Sequence, residues 1–146
     1  MATTNLKDIL AELEDYIKNT ARQYAQACER ARRLLAGLDK QEAVKLVAGT
    51  PGYVYLKQKG HKSLATEDIQ QIINELGSEE EKRIVADFPA AQQALTDRLK
   101  ETPSIGLVMK QAKVSYQQYY QRQLRPDLWS AEQMIAIVDV LDRLQI

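Results

Sequence analysis

Scarcity defines this chain: one cysteine, one histidine, six glycines and four prolines in 146 residues. A single Cys28 permits no intrachain disulfide and no cysteine cluster for zinc, so a reducing, cytoplasmic setting is the default expectation. With one His61 there is no Cys-His pair in a local motif, and no Glu-x-x-His pair of the kind that builds di-iron bundles. No Gly-x-Ser-x-Gly elbow is present, and the run from Gly49 to Gly52 lacks the spacing and the lysine of a phosphate-cradling loop. No apolar run approaches the roughly 20 residues of a membrane span, and Met1-Ala2-Thr3-Thr4-Asn5 is not a charged region leading into an apolar stretch. The expectation is a protein without catalysis, cofactor, metal or membrane insertion.

What remains is helical in pattern. Apolar residues make up 45 % and charged ones 27 %, ordinary globular values. A chain of this length buries roughly 70 % of its unfolded surface, enough for a real core. Gly and Pro fall between apolar-periodic segments, as at helix ends. Leu6, Leu10, Leu13, Ile17, Thr20, Tyr24, Ala27, Ala31, Leu34 and Leu38 alternate in steps of four and three, a heptad seam on one long N-terminal helix of about 45 Å. Asn5 with Asp8 caps its start and Gly37 follows its end.

Asp39 with Glu42 opens a short second helix that Gly49 stops, and Thr50-Pro51-Gly52 then reads as a turn. Tyr53-Val54-Tyr55-Leu56 is the only β-favouring run and leads into a basic stretch, so residues 53–62 are expected to form a short extended arm or small hairpin. Further helices are expected from Thr66 to Gly77, from Ser78 over Ile84 and Val85, from Pro89 to Pro103, from Ser104 to about Leu124 with Tyr116 and Tyr119 inward, and from Ser130 to the C-terminus. There is no internal repeat and no long linker. The reading is an all-α, compact helical bundle of about five to seven helices, one domain over residues 1–146.

The net charge is zero, from 20 cations and 20 carboxylates, but the signs are segregated. Between Tyr16 and Leu38 stand Lys18, Arg22, Arg30, Arg32 and Arg33 against Glu29 alone. No acid occurs from Ala43 to Thr66, which holds Lys45, Lys57, Lys59, His61 and Lys62, nor from Thr102 to Pro126, which holds Lys110, Lys113, Arg122 and Arg125. Seven acids gather in Glu67–Asp87. A basic face and an acidic face follow if folding groups these segments.

Tyrosines and lysines around Gly60 can contact a phosphate backbone and stack on unpaired bases; the plainer reading is a basic surface loop anchored by Tyr53 and Tyr55. The Lys110–Arg125 helix, with Gln117 and Gln121, and the Arg22, Arg30, Arg33 stretch are the other candidate contact surfaces. Paired carboxylates such as Glu12 with Asp15 read as solvated helix surface, and Cys28 as a small core or interface residue.

In length, helical build, basic stretches and lack of catalytic residues the chain resembles the small-subunit family of CRISPR effector complexes. The resemblance rests on shape and charge, not on a motif. It implies self-association beside other protein subunits, no chemistry in this chain, and single-stranded DNA or RNA backbone contacts carried by Lys57, Lys59, Lys62, Lys110, Lys113, Arg122 and Arg125. The rival reading is a protein-only helical adaptor that oligomerises through its heptad helix.

Overall fold

The structure, a computed structural model, describes residues 5–146. Every regular element among them is helical: α1 (Leu6–Ala36), α2 (Lys40–Leu46), α3 (Pro51–Gln58), α4 (Thr66–Leu76), α5 (Glu79–Lys100), α6 (Ile105–Gln111), α7 (Tyr116–Leu124), a 3₁₀ turn (Pro126–Leu128) and α8 (Ala131–Leu144). The all-α expectation and the long N-terminal helix hold. Eight α-helices exceed the expected five to seven, because local signals divide the chain differently in three places.

The extended arm is a helix. Thr50 is the N-cap of α3, its hydroxyl accepting from the Tyr53 N–H at 3.4 Å, and Pro51 occupies the first helical position, where a missing N–H costs nothing. What reads as a turn is a helix start. Burial of Val54 and Lys57 on one side then overrides the β preference of residues 53–56. Beyond α3, Gly60 takes a left-handed φ of 80° and the His61 N–H donates to the Leu56 carbonyl at 2.9 Å, closing the helix with a six-to-one bond.

The second difference is at Pro89, which lies inside α5 rather than at a helix start. Pro89 is exposed, while Val85, Phe88, Ala91, Gln92 and Leu95 are buried around it, so packing on both sides of the proline offsets the one lost backbone bond. The third is the break between α6 and α7. Lys113 adopts φ 60°, the Val114 N–H reaches back to the Met109 carbonyl at 2.9 Å, and Ser115 with Gln118 forms a new capping box. Consequently Tyr116, expected inward, is 51 % exposed.

Two compact units emerge: Met1–Gln23 with Asp87–Ile146, and Tyr24–Ala86. Helices α1 and α5 contribute residues to both. In the first unit Trp129 is 1 % exposed, and its indole N–H donates to the Thr96 hydroxyl at 3.1 Å. Gln92 donates to the carbonyls of Trp129 and Asp127, and Gln123 to that of Thr96. These bonds tie α7 and the 3₁₀ turn to α5. With Trp129, the residues Ile17, Leu95, Leu99, Met109, Met134, Ile137 and Leu141 are its largest fully buried apolar side chains. Arg98 is buried with them, bonded to Thr102, Glu14 and the Ile146 carbonyl.

The second unit buries Tyr24, Ala27, Ala31 and Leu35 of α1, with Ala43, Val47, Val54, Ile69, Ile72, Ile73 and Val85. Inside it, the Lys57 ammonium and the Asp68 carboxylate meet at 2.6 Å with side chains only 6 % and 3 % exposed. Asp68 also accepts the Ala65 N–H at 2.9 Å and so caps α4, which begins at Thr66 with Ala65, not Thr66, in the cap position. Leu76, expected inward on α4, is exposed.

Candidate nucleic-acid interface

The C-terminal end of α1 and the turn after α3 meet in the second unit, and chemistry local to each end explains why. The last carbonyls of a helix lack intrahelical partners. Gln58 reaches one of them, its amide donating to Leu35 O at 3.1 Å and also to Leu38 O, just beyond the helix, at 3.0 Å. That clamp sets Lys59 to Lys62 beside Arg32 and Arg33 in the last turn of α1. The result is a cleft of about 430 Å³ walled by Arg32, Arg33, Lys57, Gln58, Lys59 and Lys62, with Ala36, Gly60, Ser63 and Leu64 completing it. Among the described residues no carboxylate lines it.

The cations of this cleft differ in how free they are. Lys57 forms its floor but is held by Asp68, by the Ala48 carbonyl at 3.4 Å and over the Tyr53 ring at 4.9 Å. Its expected role as a surface contact is therefore corrected: a buried ammonium needs a fixed partner, and Asp68 provides it. Arg32 is paired with Glu29 one turn before it. Arg33, Lys59 and Lys62 are exposed and form no ion pair among the described residues. Lys59 stands 5.5 Å from the Tyr55 ring, with Lys40 at 5.1 Å, so both tyrosines of the former arm already carry ammonium neighbours. His61 is exposed beside Lys62 and does not line the cleft.

Two helices present their negative ends here, which accounts physically for the concentration of cations. An anion entering the cleft meets ammonium and guanidinium groups, not helix N–H donors. Its binding would be charge-driven and indifferent to base identity.

None of the other candidates lines the cleft. Arg30 in the second unit is 3.8 Å from Glu81. In the first unit, Arg22 is exposed on α1; Lys110 and Lys113 are exposed at the end of α6; Arg125 is paired with Asp127 at 2.8 Å. Arg122 is half-buried, bonded to Gln133 at 2.9 Å and 5.9 Å from the centre of the Trp129 ring. Arg122 thus serves the packing of α7 and is corrected from a free contact residue, while Arg125 stays exposed beside its Asp127 partner. Sequence reasoning missed Gln58 and Asp68, whose partners lie 11 to 23 residues away with no motif to mark them.

Among the described residues no cluster of His, Cys, Asp or Glu could hold a metal ion, and no helix is long and apolar enough to cross a membrane. Compared with protein-family models, curated proteins and solved structures, the chain matches none.

Proposed function

We propose that this chain is a non-catalytic helical subunit of a nucleoprotein complex, contacting a nucleic-acid backbone through the cleft between the end of α1 and the end of α3. One observation carries the reading: Arg33, Lys59 and Lys62, which form no ion pair among the described residues, converge on a cleft that no described carboxylate lines. Its specific form is a cytoplasmic small subunit of a CRISPR effector complex, working beside other protein subunits, as the chain's build and charge pattern resemble. The adaptor reading is left with only the ends of the seam, where Leu6 is exposed and Leu10, Leu13, Leu34 and Leu38 are half-buried. From Ile17 to Ala31 the heptad seam is at most 8 % exposed at each position, so its middle is spent on this chain's own core.

Fluorescence anisotropy with single-stranded and duplex oligonucleotides at low and moderate salt tests the proposal. Binding is expected for the native chain and should weaken at least about tenfold when Arg33, Lys59 and Lys62 are all replaced by Ala, since these cations supply the attraction. Unchanged binding in that triple variant would move the contact elsewhere; absence of binding at low salt would remove the nucleic-acid reading.

A further inference from the structure

The charges on the walls of the cleft between the ends of α1 and α3 are unevenly matched. Arg32 is offset by Glu29, and Lys57 by Asp68. Arg33, Lys59 and Lys62 are left, three positive charges that no described carboxylate offsets. Ser63 lines the same space, exposed, its hydroxyl bonded to no other described group. Arg33 supplies a planar N–H fork, the geometry that meets two phosphate oxygens at once. Such a set offers more donors than the two free oxygens of one backbone phosphate accept in comfort.

Size limits what can meet these charges. At about 430 Å³ the cleft lies toward the small end of ligand pockets, which run from roughly 300 to 1,000 Å³. Its floor is fixed, because the Lys57 ammonium is held by Asp68 and by the Ala48 carbonyl. A space of that size takes a single nucleotide, not a run of backbone. Inside a strand, the phosphodiesters flanking that nucleotide carry one negative charge each. At the end of a strand the phosphate is a monoester instead, with about −1.5 to −2 charge at neutral pH and three strong acceptor oxygens. With the phosphodiester across its sugar, a phosphorylated end brings close to three negative charges, matching the three left over on the walls.

We infer that the cleft receives the phosphorylated end of a strand, its terminal phosphomonoester among Arg33, Lys59, Lys62 and Ser63 and the next phosphodiester at the rim. The inference rests on the nucleic-acid reading of this cleft and adds which part of the strand enters it. Recognition stays indifferent to base identity, since every terminal nucleotide can carry the same phosphate.

Fluorescence anisotropy with one short single strand, labelled at an internal base and ending in a 5′-phosphate, a 3′-phosphate or hydroxyls at both ends, reads this out. At least one phosphorylated form should bind at least about tenfold more tightly than the hydroxyl form, which lacks the charge-assisted bonds to the monoester. Replacing Lys59 and Lys62 together by Ala should erase that difference. Both side chains are exposed, and circular dichroism verifies that the variant remains helical. An end preference that survives in the variant puts the terminal phosphate elsewhere and overturns the inference. Equal affinity of all three forms for the native chain also overturns it, while leaving the backbone contact in place. If no form binds even at low salt, the nucleic-acid reading itself falls and the inference falls with it.

Discussion

Glu14 shows how burial reshapes the chemistry of one side chain. Desolvation raises its pKa above the ordinary 4.5, outweighing the hydrogen bond and attraction from Arg98 and joined by repulsion from Asp142 and Asp15. The folded chain therefore holds this proton more tightly than the unfolded one. The stability this contributes is fully present below pH 4.5 and is lost as pH rises through the folded value. Denaturant midpoints measured from pH 4 to 7 are expected to fall in the native chain relative to Glu14→Gln, whose side chain does not titrate; parallel profiles would contradict this. Burial likewise pushes the Tyr24 phenol far upward, aided by Cys28 and Glu67. Lys57 illustrates what sequence conceals at this scale. An acid-free stretch marks it as a surface cation, whereas its environment is set by Asp68, 11 residues on. Nothing in the residues around Lys57 encodes that meeting.

Among the elements, helix starts made by neighbours three apart were legible and the rest were not. Asn5 bonds the Asp8 N–H, while Ser78 with Glu81 and Ser130 with Gln133 close their capping boxes, because such chemistry is complete within one turn. The same chemistry at Thr50 was masked by the Pro-Gly that follows, and at Ser115 by apolar periodicity running through the break. Tertiary contacts decide what those local signals do not. The Lys57–Asp68 pair joins α3 to the cap of α4, so removing one partner leaves a buried charge unmatched. Lys57→Ala or Asp68→Ala is expected to cost about 3–5 kcal/mol in equilibrium unfolding, and Lys57→Met with Asp68→Leu together much less. Equal losses in single and double variants would refute the pairing. At the end of α6, Lys113 occupies a left-handed conformation that glycine adopts without penalty. Lys113→Gly is expected to stabilise the chain by roughly 0.5–1 kcal/mol, and a lower thermal midpoint would argue against that assignment.

Over the whole molecule, neutrality conceals local fields. Tyr24–Ala86 carries ten cations against nine carboxylates, leaving ten against eleven for the rest, so neither unit is strongly charged. Within the former, six of the nine acids fall after Thr66, while eight of the ten cations precede it. The three acid-poor stretches were legible in sequence; their fate was not. Folding gathers Arg33 with Lys59 and Lys62, more than 20 residues along the chain, because Gln58 clamps α3 to the end of α1. It draws Arg122 into local packing against Gln133 and the Trp129 ring and leaves Arg125 exposed beside Asp127. The most direct test of the central claim is the dependence of oligonucleotide affinity on salt. With three cations engaged on a single strand, the logarithm of the association constant should fall with the logarithm of salt concentration at a slope of roughly −2, losing about 0.7 with each of Arg33, Lys59 and Lys62 replaced by Ala. A slope near zero in the native chain, or one unchanged in those variants, would contradict the account.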